Sequence, residues 1–205
     1  MVRSYLACVS FVDDQVGKVL DALERSDKVH NTYVILYSDH GFHLGEKEKW
    51  AKRSLWKNST KVPLIISGPG IPKGEKCDLP VQLLDIYPTL LELSGLASDP
   101  IHQGNSLVPI LKKGASQWPY VARTSIGPGN YSIVSKNYRF IQYNDNTAEL
   151  YDRINDPNEW YNLINNPDLT DVIEQHRNKI PNQRHGILGD GSLGHESYSF
   201  CLLYT

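Results

Sequence analysis

No run of about 18 apolar residues occurs anywhere in the chain, which excludes a membrane-spanning helix. The opening Met1-Val2-Arg3-Ser4-Tyr5-Leu6 lacks the apolar core of a signal peptide. Cysteine is scarce. Cys8, Cys77 and Cys201 are odd in number and far apart, which excludes a disulfide framework and a Cys-x-x-Cys metal knuckle. There is no excess of one charge either: 21 Lys and Arg against 23 Asp and Glu leave a net charge of −2. Such a chain is not built to bind nucleic acid or anionic membranes nonspecifically. Internal repeats are absent as well. What is present is the composition of a folded chain, 40% hydrophobic and 10% aromatic. The 205 residues suit one or two domains of roughly 100–200 residues each.

Tyr5, Val9, Val12, Val16, Val19 and Leu23 recur at alternating steps of four and three, which predicts an amphipathic helix ending near Ser26-Asp27. Asp13, Asp14, Lys18 and Asp21 take its wet face, and Gly17 suggests close packing on a sheet. Thr32–Tyr37 and Val62–Ile66 lack alternation and read as strands buried on both faces. Between them lies a long polar loop, and loops of that length are usually functional. Asp85 is placed to cap a helix through Leu93, with Gly95 just past its end. Helix, strand, loop, strand and helix together predict a piece of an α/β sheet. After Gly114 the pattern changes to short strands at Tyr120–Ile126, Tyr131–Lys136, Arg139–Tyr143 and Ala148–Tyr151, an antiparallel meander. A helix over Leu169–Lys179, with Asp168 as its cap, should follow. The expected domains are therefore 1–115 (α/β), 116–180 (a small antiparallel α+β subdomain) and an irregular tail at 181–205.

Chemistry concentrates just past the first strand. Asp39 and His40 stand at its carboxyl end, where open α/β sheets bind ligands. A carboxylate beside a neutral imidazole suits a divalent cation, and Gly41 permits the turn that aims both outward. Lys52, flanked by Trp50 and Trp56, is a candidate point charge for a phosphate or sulfate oxyanion. Taken alone, these residues also fit an ordinary Asx turn, a solvated lysine and packing tryptophans.

A wider resemblance weighs between those readings. "YVILYSDHGFHLGEKEKWAKRSLWKNSTKVPLIISGPG" resembles the sulfatase family, especially its iduronate-2-sulfatase-like branch. "YLACVSFVDDQVGKVLDAL", "LPVQLLDIYPTLLELSGL" and "ELYDRINDPNEWYNL" resemble further family segments in the same order. The resemblance implies the C-terminal part of an alkaline-phosphatase-like α/β domain followed by a small antiparallel subdomain. It implies that Asp39 and His40 ligate an active-site Ca²⁺, that Lys52 binds and stabilises the sulfate group, and that His43 belongs to the substrate pocket. It implies a sulfated small molecule or glycan as partner, and an exported or lysosomal setting.

The same resemblance exposes a gap. Sulfatases use a formylglycine made from the Cys of a C-x-P-S-R motif, and neither that motif nor a serine version occurs here. The chain is therefore expected to be a sulfatase portion with an incomplete Ca²⁺ site, inactive by itself. Two other readings stay open: a phosphodiesterase of the same superfamily, and a non-catalytic remnant that binds sulfated sugar.

Overall fold

The computed structural model describes residues 1–113 and 118–182. The tail expected at 181–205 lies, from residue 183 onward, outside the described residues, as does Cys201.

The apolar period produces helix α1, Val2–Glu24, close to its expected extent. It ends where Ser26 donates to the Leu23 carbonyl through both its N–H (3.0 Å) and its hydroxyl (2.7 Å). Its apolar face is not buried as expected: Val9, Val12 and Val19 are all exposed. Tyr5 does stack on Phe42, with ring centroids 5.9 Å apart. Among the described residues nothing lies within 4 Å of a Cβ built on Gly17, so they do not supply the close packing expected there.

Strands β1 (Val34–Tyr37) and β2 (Leu64–Ser67) pair antiparallel, with Val34 opposite Ser67 and Tyr37 opposite Leu64. Burial on both faces was expected of each. Instead Leu36 and Tyr37 are exposed, and Ile65 is 57% exposed. The β-branched residues and their pairing suffice to form strands. Burying both faces takes a covering layer on each, which the described residues do not supply.

One helical turn, α2 (Lys57–Thr60), lies between these strands. Helix α3, Ile86–Leu93, follows a 3-10 turn at Leu83–Asp85. Asp85 stands at its start as expected, but its buried carboxylate does not cap α3. It accepts from the backbone N–H groups of Gln82 (2.9 Å) and Asn105 (2.8 Å), tying in the loop ahead of helix α4, Val108–Lys113. Gly95, at φ +69°, ends α3 as expected. The N–H groups of Gly95 and Leu96 return to the Glu92 and Leu91 carbonyls.

The meander forms as expected: β3 (Ala122–Ser125), β4 (Tyr131–Val134), β5 (Tyr138–Gln142) and β6 (Ala148–Asp152), neighbours in that order and all antiparallel. Register and pleat divide its side chains. Ile133, Phe140 and Leu150 lie abreast on one face. They pack with Ile173 of helix α5, Thr170–Arg177. Ser132, Val134, Arg139, Ile141, Glu149 and Tyr151 occupy the other face. Asp168 does not cap α5. Asn166 accepts from the Asp168 N–H (3.0 Å) and caps the preceding 3-10 turn, Pro167–Leu169.

His176 locks α5 to the sheet, with Nδ1 2.6 Å from the Val172 carbonyl and Nε2 2.9 Å from Ser135 Oγ. Burial holds its imidazole below the ordinary 6.5. A histidine lowered in this way contributes stability that is fully present above its unfolded pKa. That contribution is lost as pH falls through the folded one. Thermal unfolding should therefore show a falling melting temperature as pH drops below about 6.5, with a shallower slope in His176→Gln. In the same assay Phe140→Ala should cost about 3–5 kcal/mol, since the ring is fully buried. A loss under about 1 kcal/mol would mean that this face is not a packed core.

Candidate functional site

Strand β1 delivers Asp39 and His40 into a tight turn. The Ser38 hydroxyl donates to the His40 carbonyl (2.8 Å), and the His40 N–H donates to Asp39 Oδ1 (3.0 Å). Gly41 is obligatory here. A Cβ at this position would lie 2.0 Å from the Asn58 carbonyl oxygen, and the Gly41 N–H donates to Ser59 O (2.9 Å). The turn is thus clamped against α2 backbone to backbone.

The pair has the chemistry of cation ligands. The Asp39 side chain is 82% exposed and ready to accept. His40 Nδ1 lies 2.8 Å from the Gly41 carbonyl, which can only accept, so Nδ1 carries the proton. In the neutral imidazole Nε2 then keeps the lone pair, 3.7 Å from Asp39 Oδ2. That spacing lets both atoms reach one ion at about 2.3–2.6 Å. A ligating histidine usually donates its other N–H to a carbonyl or carboxylate, as His40 does. Among the described residues no group of three or more His, Cys, Asp or Glu is gathered for a metal. The residues therefore fit Ca²⁺ as two ligands of the six to eight it takes.

His43 turns inward. It is 1% exposed, with Nδ1 3.2 Å from the Glu46 carbonyl and Nε2 2.8 Å from Ser54 Oγ, which lies 2.8 Å from Ser59 Oγ. Its N–H donates to Ala51 O (3.0 Å), and its ring meets Trp56 edge-on. Burial, the largest influence, keeps this imidazole below its ordinary range and neutral. His43 is thus a strut inside the loop.

Lys52 is half-buried, between the Ala51 and Ser54 positions that His43 pins, and has no ion-pair partner among the described residues. The expectation of a lysine held between aromatics is met by a different residue. The Lys47 ammonium lies 5.0 Å from the Trp56 ring centroid and 4.6 Å from that of Tyr151. It donates to the Glu159 carbonyl and to Tyr151 OH (3.3 Å).

Residues that local patterns did not single out join this loop to the polar face of the meander. Arg139 Nε donates to Glu159 Oε1 (2.5 Å). Its Nη1 reaches Leu55 O (3.2 Å), Thr60 Oγ1 (2.9 Å) and Ser132 Oγ (2.8 Å). Glu159 Oε2 accepts from the Lys57 N–H (2.8 Å). Glu149 accepts from Trp56 Nε1 (2.7 Å), Tyr143 OH (3.1 Å) and Tyr151 OH (2.8 Å). Burial, with Glu149 close by, pushes both phenols up, so they remain donors.

The chain is similar to known proteins in sequence and in fold. The family model described as Sulfatase matches residues 1–96. A sulfatase from Formosa agariphila is 47% identical over 181 residues, which is 88% of this chain and 36% of the relative. A choline-sulfatase from Rhizobium meliloti is 34% identical, over 80% of this chain and 33% of its own length. A solved protein in complex with its substrate D-glucosamine-2-N,6-O-disulfate superposes with a TM-score of 0.71. It is 28% identical, over 85% of this chain and 38% of that one. The chain spans about a third of the length of the curated relatives it matches.

The Gly41 clamp yields a direct test. Gly41→Ala must push α2 away from the turn and should cost about 1–3 kcal/mol or more by urea unfolding. Unchanged stability would show that the close approach of Gly41 to Asn58 is not maintained in solution.

Proposed function

The chain belongs to the sulfatase family, and from that premise we propose that it supplies the sulfate-receiving side of a site that hydrolyses sulfate esters. One observation carries the reading. At the end of β1, Asp39 Oδ2 and His40 Nε2 stand 3.7 Å apart, with His40 Nδ1 on the Gly41 carbonyl and their turn fixed by Gly41. Asp39 and His40 would hold Ca²⁺, which when bound neutralises negative charge on sulfate oxygens.

Lys52 contributes a second positive charge, directed at the transferring sulfuryl group. It is placed by the loop that His43 braces, and among the described residues its ammonium has no ion pair to break first. His43 serves the pocket from within, as wall and brace, because both of its nitrogens are engaged. A sulfated sugar is the substrate class we favour. It draws support from the relative that binds glucosamine disulfate. The choline-sulfatase relative supports the broader class of sulfate esters. The 205 residues contain no C-x-P-S-R motif, so the chain by itself is proposed to bind but not to turn over.

Two measurements test this reading. The purified chain should release no 4-nitrophenol from 4-nitrophenyl sulfate. Turnover that disappears in Lys52→Ala would overturn the assignment. Ca²⁺ at about 1 mM should raise stability by no more than about 0.4 kcal/mol, the value for a Kd near 1 mM, and Asp39→Asn should abolish that gain. A gain of several kcal/mol would mean that far more than two ligands surround the ion.

A further inference from the structure

We propose that Arg139 and Glu159, on the meander side, are positioning residues for Lys52, fixing the loop that presents it. This rests on the reading of Lys52 as the sulfate-contacting group. Neither residue is among the candidate site residues of the sequence. The geometry does, because Arg139 lies on β5 and yet spends two of its hydrogen bonds on the loop, at Leu55 O and Thr60 Oγ1. Glu159 grips the same loop at the Lys57 N–H and holds Arg139 with its other oxygen. Lys57 Nζ adds a bond to the Pro157 carbonyl (2.6 Å).

Both charged side chains are buried, 4% and 3% exposed. Stability alone does not call for such a pair. Desolvating two ions is costly, and apolar residues of the same volume often pack as well or better. What the pair adds is direction. The guanidinium is a rigid fork whose N–H groups reach the loop, β4 and Glu159 at once, which no apolar side chain and no lysine can copy. Glu159 meets its partners from the left-handed region, φ +60°, which a non-glycine residue adopts only at a cost. The surroundings hold it there.

The fixed point is close to the candidate cation. Leu55 follows Lys52 by three residues, so at most about 10 Å of extended chain separates them. Leu55 itself is buried against Ile141 and Tyr151 of the meander. On the other side of Lys52, the Ala51 carbonyl is held by the His43 N–H. Lys52 thus sits on a short arch, with one foot pinned by the loop's own histidine and the other by Arg139 and Glu159.

The experiment uses the full 205-residue chain and two readouts. Hydrogen exchange of a peptide covering 51–61 reports the arch, and labelling of the Lys52 amine with and without inorganic sulfate reports the site. Arg139→Met should speed exchange across 51–61 by about tenfold or more and abolish protection of Lys52 by sulfate. Arg139→Lys, which keeps the charge but not the fork, should not restore either. Ile173→Ala, in the core on the opposite face, is the control for a general loss of stability. Should Arg139→Met fail to fold, Thr60→Ala removes one loop acceptor and should speed exchange in the same segment. Exchange across 51–61 no faster in the Arg139 and Thr60 variants than in Ile173→Ala would overturn the positioning role. Absence of sulfate protection in the unmodified chain would instead overturn the reading of Lys52, a separate failure.

Discussion

The buried pair of Arg139 and Glu159 is the contact on which the arrangement of this chain depends. It joins two parts that are distant in sequence: the loop between β1 and β2, and the four-stranded meander. The pair holds the loop directly at Leu55, Lys57 and Thr60, while Lys47 reaches the Glu159 carbonyl and Trp56 reaches Glu149 beside it. Its energetic logic is severe. Paired and fully bonded, the two charges roughly offset their desolvation, whereas either one alone is a buried, uncompensated ion.

How much of this was legible in the sequence follows from how local each signal is. The period of α1, the turn chemistry that separates β3 to β6, and Gly95 beyond α3 are encoded within a few residues, and each formed where expected. Failures occurred where a signal needed a distant partner. Apolar composition says that a face seeks burial but not what covers it, so the exposure of β1, β2 and α1 was invisible. Asn166 outcompeted Asp168 because both are plausible caps two residues apart, and Pro167 starts a 3-10 turn after the first. Trp50 and Trp56 drew attention to Lys52, yet the ring that completes a cation cage belongs to Tyr151 and encloses Lys47. Arg139 looked like one more residue in a strand. Its partners lie at separations from 7 to 84 residues, beyond any local pattern.

The candidate site shows the same division. Asp39, His40 and Gly41 could be picked out because strand end, ligand types and turn glycine are contiguous. The reason glycine is required could not be read, since the obstacle is the carbonyl of Asn58 in another element. The tautomer of His40 likewise follows only from the Gly41 carbonyl that the turn folds under its ring. The inward rotation of His43 depends on Ser54, which sequence distance conceals.

The two faces of the meander impose different rules on how this sequence can drift. Ile133, Phe140 and Leu150 are held by shape, so their neighbours can absorb one exchange at a time, provided volume is kept. The opposite face is held by directed bonds between charges, and there each residue is conditional on the others. A descendant that lost Arg139 would strand Glu159, and one that lost Glu159 would strand both Arg139 and the Lys57 amide. Change on that face must be concerted. One side of the same sheet can wander by single steps while the other stays frozen until several steps occur together.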